Sequence, residues 1–264
     1  MFILSEETHL ELANRSWQAE KEHREIEMFT NTYPDLGRPE GYHIQNIRTE
    51  LVLNEGHRIV GYKLGSTGMR KRLQMGTSES SYGRLFEYME IRQGEPLMLD
   101  NFIHPKVEPE VTFFMKKDLI GPDVTPAQVM DATEYVSASM EIIDSRYIDF
   151  KFKGGDVVSD NISGGAFTIS DLRVDPKGLD LELLGLNIYL NGENAGQAAA
   201  CEIMGHPARA ISDFLKVFYK NTGKGIRAGE FIMTGGITQS FSLHRGDKVR
   251  ADFAELGSVS LNVE

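Results

Sequence analysis

Glu108 and Glu110 stand two positions apart in "HPKVEPEV" (residues 104–111), a stretch that otherwise reads as a β-strand. Side chains alternate across a strand, so both carboxylates leave the same face. Their repulsion has three remedies: both face water, basic partners sit opposite, or a divalent cation lies between them. Hard cations such as Mg²⁺ take oxygen ligands and keep positions open for water and substrate. Glu141, in "SASMEIIDSR", is a lone carboxylate in an apolar strand, costly to bury without a partner, and would supply a third ligand. On spacing alone a second reading stands, in which Glu108 and Glu110 face solvent and Glu141 pairs with Arg146 or a lysine. Pro109 offers no amide hydrogen, which places this strand at a sheet edge or beside a cleft.

Lys63, in "GYKLGSTGM", ends an apolar strand and is followed by glycines and by the hydroxyls of Ser66 and Thr67. A lysine beside such backbone can clamp or polarise a carbonyl or carboxylate. The alternative is a surface lysine lying along apolar neighbours. "VVSDNISGG" with Asn161 and "FIMTGGIT" with Thr234 are polar, glycine-flanked ends of apolar runs, which either meet a ligand or simply turn. Arg146 joins Ser66, Thr67, Asn161 and Thr234 as a candidate substrate contact. His206, before Pro207, fits a helix entry, and Cys201 reads as a packing residue.

The elements that must hold these residues follow from periodicity. Residues 5–30 read as a helix capped by Ser5, with Leu10, Ala13 and Trp17 on one stripe. A second helix runs from Pro39 to before Gly56, with Ile44, Ile47 and Leu51 inward. Thr125, Pro126 and Gln128 form a capping-box start, and Asn191-Gly192 marks a hairpin. A helix from Pro207 to about Asn221 carries Ile211, Phe214, Leu215 and Phe218 as one stripe. Strict alternation in "KVRADFA" and "SVSLNVE" predicts two closing strands. The pattern is α+β: an N-terminal helical segment (1–58) and a catalytic β-rich domain (59–264), mostly antiparallel and sandwich-like.

The 264 residues carry 39 acidic and 28 basic side chains, a net charge of -11, which argues against nucleic acid as a partner. One cysteine excludes an internal disulfide and fits a reducing cytoplasm. No apolar run approaches the roughly 20 residues of a membrane helix, so no membrane partner is expected.

Six stretches in order, "GYKLGST", "HPKVEPEV", "MEIIDSRYIDFKF", "VVSDN", "GHP" and "FIMTGGIT…GD…LGSVS", resemble the hydratase/decarboxylase group of the fumarylacetoacetate hydrolase superfamily. That group comprises 2-hydroxypentadienoate (2-keto-4-pentenoate) hydratases and 4-oxalocrotonate decarboxylases of the meta-cleavage pathway. The resemblance implies a mixed, mostly β roll and a Mg²⁺ or Mn²⁺ ion on Glu108, Glu110 and Glu141. It also implies Lys63 as an active-site lysine and a small dicarboxylate 2-oxo acid as substrate. Hydratases of the group tend to carry Pro-Asp before an aromatic and Gly, where this chain reads "SESSYG" with Ser81 before Tyr82-Gly83 and with Glu79 close by as an acid that could substitute. The missing acid points to decarboxylation of 4-oxalocrotonate (2-oxohex-3-enedioate) to 2-hydroxypenta-2,4-dienoate, with hydration of that dienoate as the alternative. A C–C bond hydrolase acting on an acylpyruvate is a further enzyme alternative, and a non-catalytic subunit of a hydratase/decarboxylase assembly is the alternative of another class. A homo-oligomer and a complex with a related hydratase are also implied.

Overall fold

The structure, a computed structural model, describes residues 2–68 and 79–264; the Met69 end of "GYKLGSTGM" and Ser78 at the head of "SESSYG" lie outside them. Helix α1 (Glu6–Lys21) starts where Thr8 N donates to Ser5 Oγ over 3.2 Å. Leu12, Ala13, Ser16 and Trp17 are buried, whereas Leu10 is exposed, contrary to expectation. In that turn His9, bonded to Glu40, takes the inward position. The helix also stops well short of residue 30. His23 turns into the left-handed region, and Ile26 leaves to exchange backbone hydrogen bonds with Arg146 and Ile148. Two further helices follow, α2 (Phe29–Thr32) and α3 (Arg38–Asn54). On α3 Ile44 is fully buried, with Ile47 and Leu51 half-buried beside it.

Seven strands form the larger sheet: β1 (Ile59–Gly65), β2 (Ser81–Phe86), β3 (Lys106–Met115), β4 (Thr133–Ile143), β5 (Gly164–Ile169), and the short β8 (Phe231–Met233) and β9 (Phe241–Ser242). The order is β2-β1-β8-β3-β4-β5, with β9 added beside β3. Only the β1–β8 pair is parallel. A four-stranded antiparallel sheet is built from β6 (Gly185–Leu190), β7 (Glu193–Ala199), β10 (Lys248–Phe253) and β11 (Gly257–Asn262) in the order β11-β10-β6-β7. Asn191 and Gly192 join β6 to β7 with φ of 55° and 88°, both positive as a type I′ turn requires. The alternating Val249, Ala251, Phe253, Val259 and Leu261 are all buried, and β10 and β11 pack against β4.

Helix α4 (Pro126–Ala132) begins with the full Thr125–Gln128 capping box, and α5 (Gly154–Ser159) packs on α3. Helix α6 (Pro207–Thr222) is capped by His206, whose Nδ1 accepts from Ala208 N at 3.0 Å, and ends at left-handed Gly223. Its Phe214 and Phe218 meet Tyr62 and Tyr82 with ring centroids 5.1–5.4 Å apart. Burying each such side chain contributes about 1.5–3 kcal/mol. Cys201 is exposed just beyond β7 and so is not a packing residue. Among the described residues, no helix is long and apolar enough to cross a membrane.

Strand β3 is interior, not an edge: β4 pairs with one side and β8 and β9 with the other. Pro109 is accommodated because β8 covers 112–114 and β9 covers 106–107, leaving a gap between them. There Pro109 needs no ladder donor, and its carbonyl accepts Ile237 N from the connecting loop.

Candidate metal centre

In the β3–β4 register Glu108 lies directly opposite Glu141, and Glu110 opposite Ser139. The two-residue period therefore turns all three carboxylates to one face, where one oxygen from each lies within 4.8 Å of the others. All three are buried, Glu110 and Glu141 almost completely. Glu110 Oε2 accepts Gly235 N at 2.7 Å, but its Oε1 is buried with no hydrogen-bond partner. Burial, reinforced by the Glu141 and Glu108 charges, pushes the Glu110 carboxyl well above the usual carboxylate range. Burial also raises Glu141, against the pull of Lys63. Three carboxylates gathered in a dry place, with an orphaned oxygen among them, are an all-oxygen donor set suited to a hard divalent cation.

Lys63 reaches this centre from β1. Strand β8 ends at Met233, level with Lys63 on one side and Thr112 on the other, and beyond it the chain runs on between β1 and β3 as the buried turn 234–236, whose Gly235 N bonds Glu110. Lys63 Nζ lies 2.6 Å from Glu141 Oε1 and donates to the Ile162 carbonyl at 2.7 Å. That carbonyl belongs to three successive residues with positive φ, Asn161, Ile162 and Ser163, at 50–55°. Non-glycine residues in this region cost roughly 1–2 kcal/mol each, so the turn must be held by its surroundings. Asn161 holds it, its amide accepting from Arg84 N at 2.7 Å and donating to Arg84 O at 2.9 Å.

Around these groups lies a cavity of about 270 Å³, lined by Lys63, Ser66, Thr67, Ser81, Glu108 and Glu141 on its polar side. Ile143, Phe150, Phe152, Val157 and Ile162 form the apolar side. Of the expected substrate contacts, the structure brings Ser66 and Thr67 to this cavity and leaves Arg146, Asn161 and Thr234 out of its lining. Arg146 is engaged with Asp160 (Nε to Oδ1, 2.6 Å) and with the carbonyls of Asp160 and Gly164. Thr234 Oγ1 donates to Val111 O, and Asn161 is committed to Arg84. These side chains shape the backbone around the cavity instead of lining it. Neither the Ile162 carbonyl nor the apolar wall is marked by a motif in the sequence. "YIDFKF" with its two phenylalanines was the available signal for that wall. Ser163 also lines the cavity, its hydroxyl buried without a partner.

No family model matches the chain. Among curated proteins it is 36% identical over 257 residues to a 4-oxalocrotonate decarboxylase of Pseudomonas sp. (strain CF600), covering 97% of each chain. It is 32% identical over 254 residues to a 2-keto-4-pentenoate hydratase of Paraburkholderia xenovorans (strain LB400), covering 96% of this chain and 94% of that protein. Among solved structures, 4-oxalocrotonate decarboxylase from Pseudomonas putida G7, complexed with magnesium and adipate, superposes with a TM-score of 0.97 at 33% identity over 100% of both chains. Fumarylacetoacetate hydrolase from Exiguobacterium antarcticum shares the fold alone, with a TM-score of 0.59 at 14% identity over 79% of this chain and 76% of that one. With identity of this order sustained from end to end, the chain belongs to the enzyme family of 4-oxalocrotonate decarboxylases and 2-keto-4-pentenoate hydratases.

Proposed function

We propose that this protein decarboxylates 4-oxalocrotonate to 2-hydroxypenta-2,4-dienoate and CO₂. The observation that carries the reading is Ser81: at the cavity wall it offers a neutral hydroxyl where the hydratases of the group tend to carry an acid. Glu108, Glu110 and Glu141 hold Mg²⁺ or Mn²⁺, consistent with their all-oxygen donor set. When bound, such a cation supplies Lewis-acid polarisation of a chelating 2-oxo carboxylate.

Lys63 keeps a positive charge beside the growing negative charge on the substrate's C2 oxygen, held in place by Glu141 and the Ile162 carbonyl. Ser66 and Thr67 bind the C1 carboxylate with their hydroxyls. The carbon chain lies along Phe150, Phe152, Val157 and Ile162, which leave the C6 carboxylate poorly hydrated. An ionised carboxylate suffers from that loss of water, and neutral CO₂ does not. The C5–C6 bond breaks, and its electron pair passes through C4 and C3 to the C2 oxygen, which takes a proton to give the dienol. The same reading includes a homo-oligomer in the cytoplasm that associates with a hydratase, since its product is that enzyme's substrate.

The test is CO₂ release from 4-oxalocrotonate by the purified protein, with and without chelator. We expect release that stops on chelation and returns with Mg²⁺. Loss of 2-hydroxypentadienoate absorbance without CO₂ release from 4-oxalocrotonate would make the protein a hydratase instead.

A further inference from the structure

Away from the acidic centre, the first turn of α1 and the second turn of α3 bring together Glu6, His9 and His43. One carboxylate oxygen and one nitrogen from each ring lie within 4.8 Å of one another. His9 is fully buried, and its Nε2 lies 2.8 Å from Glu40 Oε1. That oxygen also accepts the amides of Ile3 and Leu4, at 3.0 and 2.8 Å, so it acts as a carboxylate acceptor and His9 Nε2 carries the hydrogen. The other ring nitrogen, Nδ1, is buried with no hydrogen-bond partner and lies 3.7 Å from Glu6 Oε1. His9 thus aims a buried ring nitrogen that makes no hydrogen bond at a carboxylate, an arrangement that a cation between them resolves. From the far side His43 Nε2 lies 2.9 Å from Glu6 Oε2. Phe2 packs on both imidazoles, with centroids 5.5 Å from His9 and 4.7 Å from His43.

We infer that Glu6, His9 and His43 form a second metal site, for a zinc-class transition-metal ion. Two imidazoles and one carboxylate suit such ions, whereas Mg²⁺ prefers oxygen alone. Glu40 is the orienting carboxylate behind His9, fixing its tautomer and ring plane. Tetrahedral bonds of about 2.0–2.1 Å place ligand atoms about 3.3 Å apart. The His9–Glu6 distance is already close to that, and the Glu6 and His43 side chains, 74% and 28% exposed, have room to turn inward. The proton on His43 Nε2 leaves as the ion enters. Bound there, the ion ties the first turn of α1 to α3.

The experiment titrates Zn²⁺ calorimetrically into full-length protein kept saturated with Mg²⁺, alongside His43→Ala and Glu6→Gln, and records electron paramagnetic resonance spectra with Cu²⁺. Both substitutions are at least partly exposed and leave His9 in place. The wild type should bind one Zn²⁺ per chain more than His43→Ala, and Glu6→Gln should bind it more weakly. Cu²⁺ in the wild type should show nitrogen splitting that His43→Ala reduces; the acidic centre has only oxygen ligands to offer. Mg²⁺-dependent turnover should be the same in all three proteins. Equal Zn²⁺ stoichiometry and affinity in the wild type and both variants, or a Cu²⁺ spectrum without nitrogen splitting, would overturn the assignment.

Discussion

Lys63 is held by two unlike partners, the Glu141 carboxylate and the Ile162 carbonyl, and both constrain where its charge can stand. A group fixed in this way stabilises developing charge without reorganising during the reaction. Lys63→Met keeps length and packing but removes the charge. We expect kcat for CO₂ release to fall about 10²–10³-fold with a folded protein by circular dichroism. Unchanged kcat and KM would sink the role given to this lysine. At this scale the gathering of Glu108, Glu110 and Glu141 was legible, because charges in apolar strands need a reason to be there. Arg146, Asn161 and Thr234 are bonded to neighbouring groups outside the cavity lining, and in sequence a polar residue at a loop end looks the same whether it faces a ligand or a neighbouring peptide group.

The turn after β8 acts as an element in its own right. Gly235 has a φ of 102°, and a Cβ there would lie 2.1 Å from Thr67 Oγ1. At Gly236 a Cβ would lie 2.2 Å from Glu108 Oε2. Both glycines let the backbone approach the cavity, and the second sets the place of a carboxylate. Gly236→Ala should push Glu108 aside and weaken Mg²⁺ binding about tenfold or more, which is roughly 1.4 kcal/mol, read from the Mg²⁺ dependence of turnover. Mg²⁺ dependence identical to wild type would show that Glu108 is not positioned by this contact. Strand alternation, the caps at Ser5, Thr125 and His206, and the Asn191-Gly192 turn were all visible in sequence, since each is a local rule. The end of α1 was not. Ile26 leaves the helix for hydrogen bonds with residues some 120 positions away, and no local pattern carries that information.

In the whole molecule, the N-terminal helices brace the segment that walls the cavity. Thr30 donates to Asp156 twice, through its amide at 2.9 Å and its hydroxyl at 2.7 Å. Gln45 donates to Val158 O, and Ser16 to Asp160, across the start of the strained turn. Strand register, which places Glu108 opposite Glu141, is likewise a property of the assembled sheet and could not be read from either segment alone. Because the unliganded centre concentrates like charge, a bound cation should stabilise the entire fold. At a hundredfold excess over its Kd, Mg²⁺ adds about 2.7 kcal/mol. We expect the melting temperature of chelated protein to rise by several degrees on adding Mg²⁺, and that rise to vanish in Glu110→Gln. A rise of equal size in the variant would place the ion elsewhere.

Pro109 gives the sheet an interruption at its centre. Between β8 and β9 the loop from 234 to 240 meets β3 through backbone bonds at Val111 O and Pro109 O, where a continuous strand would zip the length of its neighbour. The pairing of β3 with β4 owes nothing to that loop. Gly235 and Gly236 touch the carboxylates and are fixed by them, but residues 238–240 at the outer part of the loop are at least partly exposed. Sequence and length can therefore vary at that outer part while the β3–β4 register that sets Glu108 opposite Glu141 stays whole.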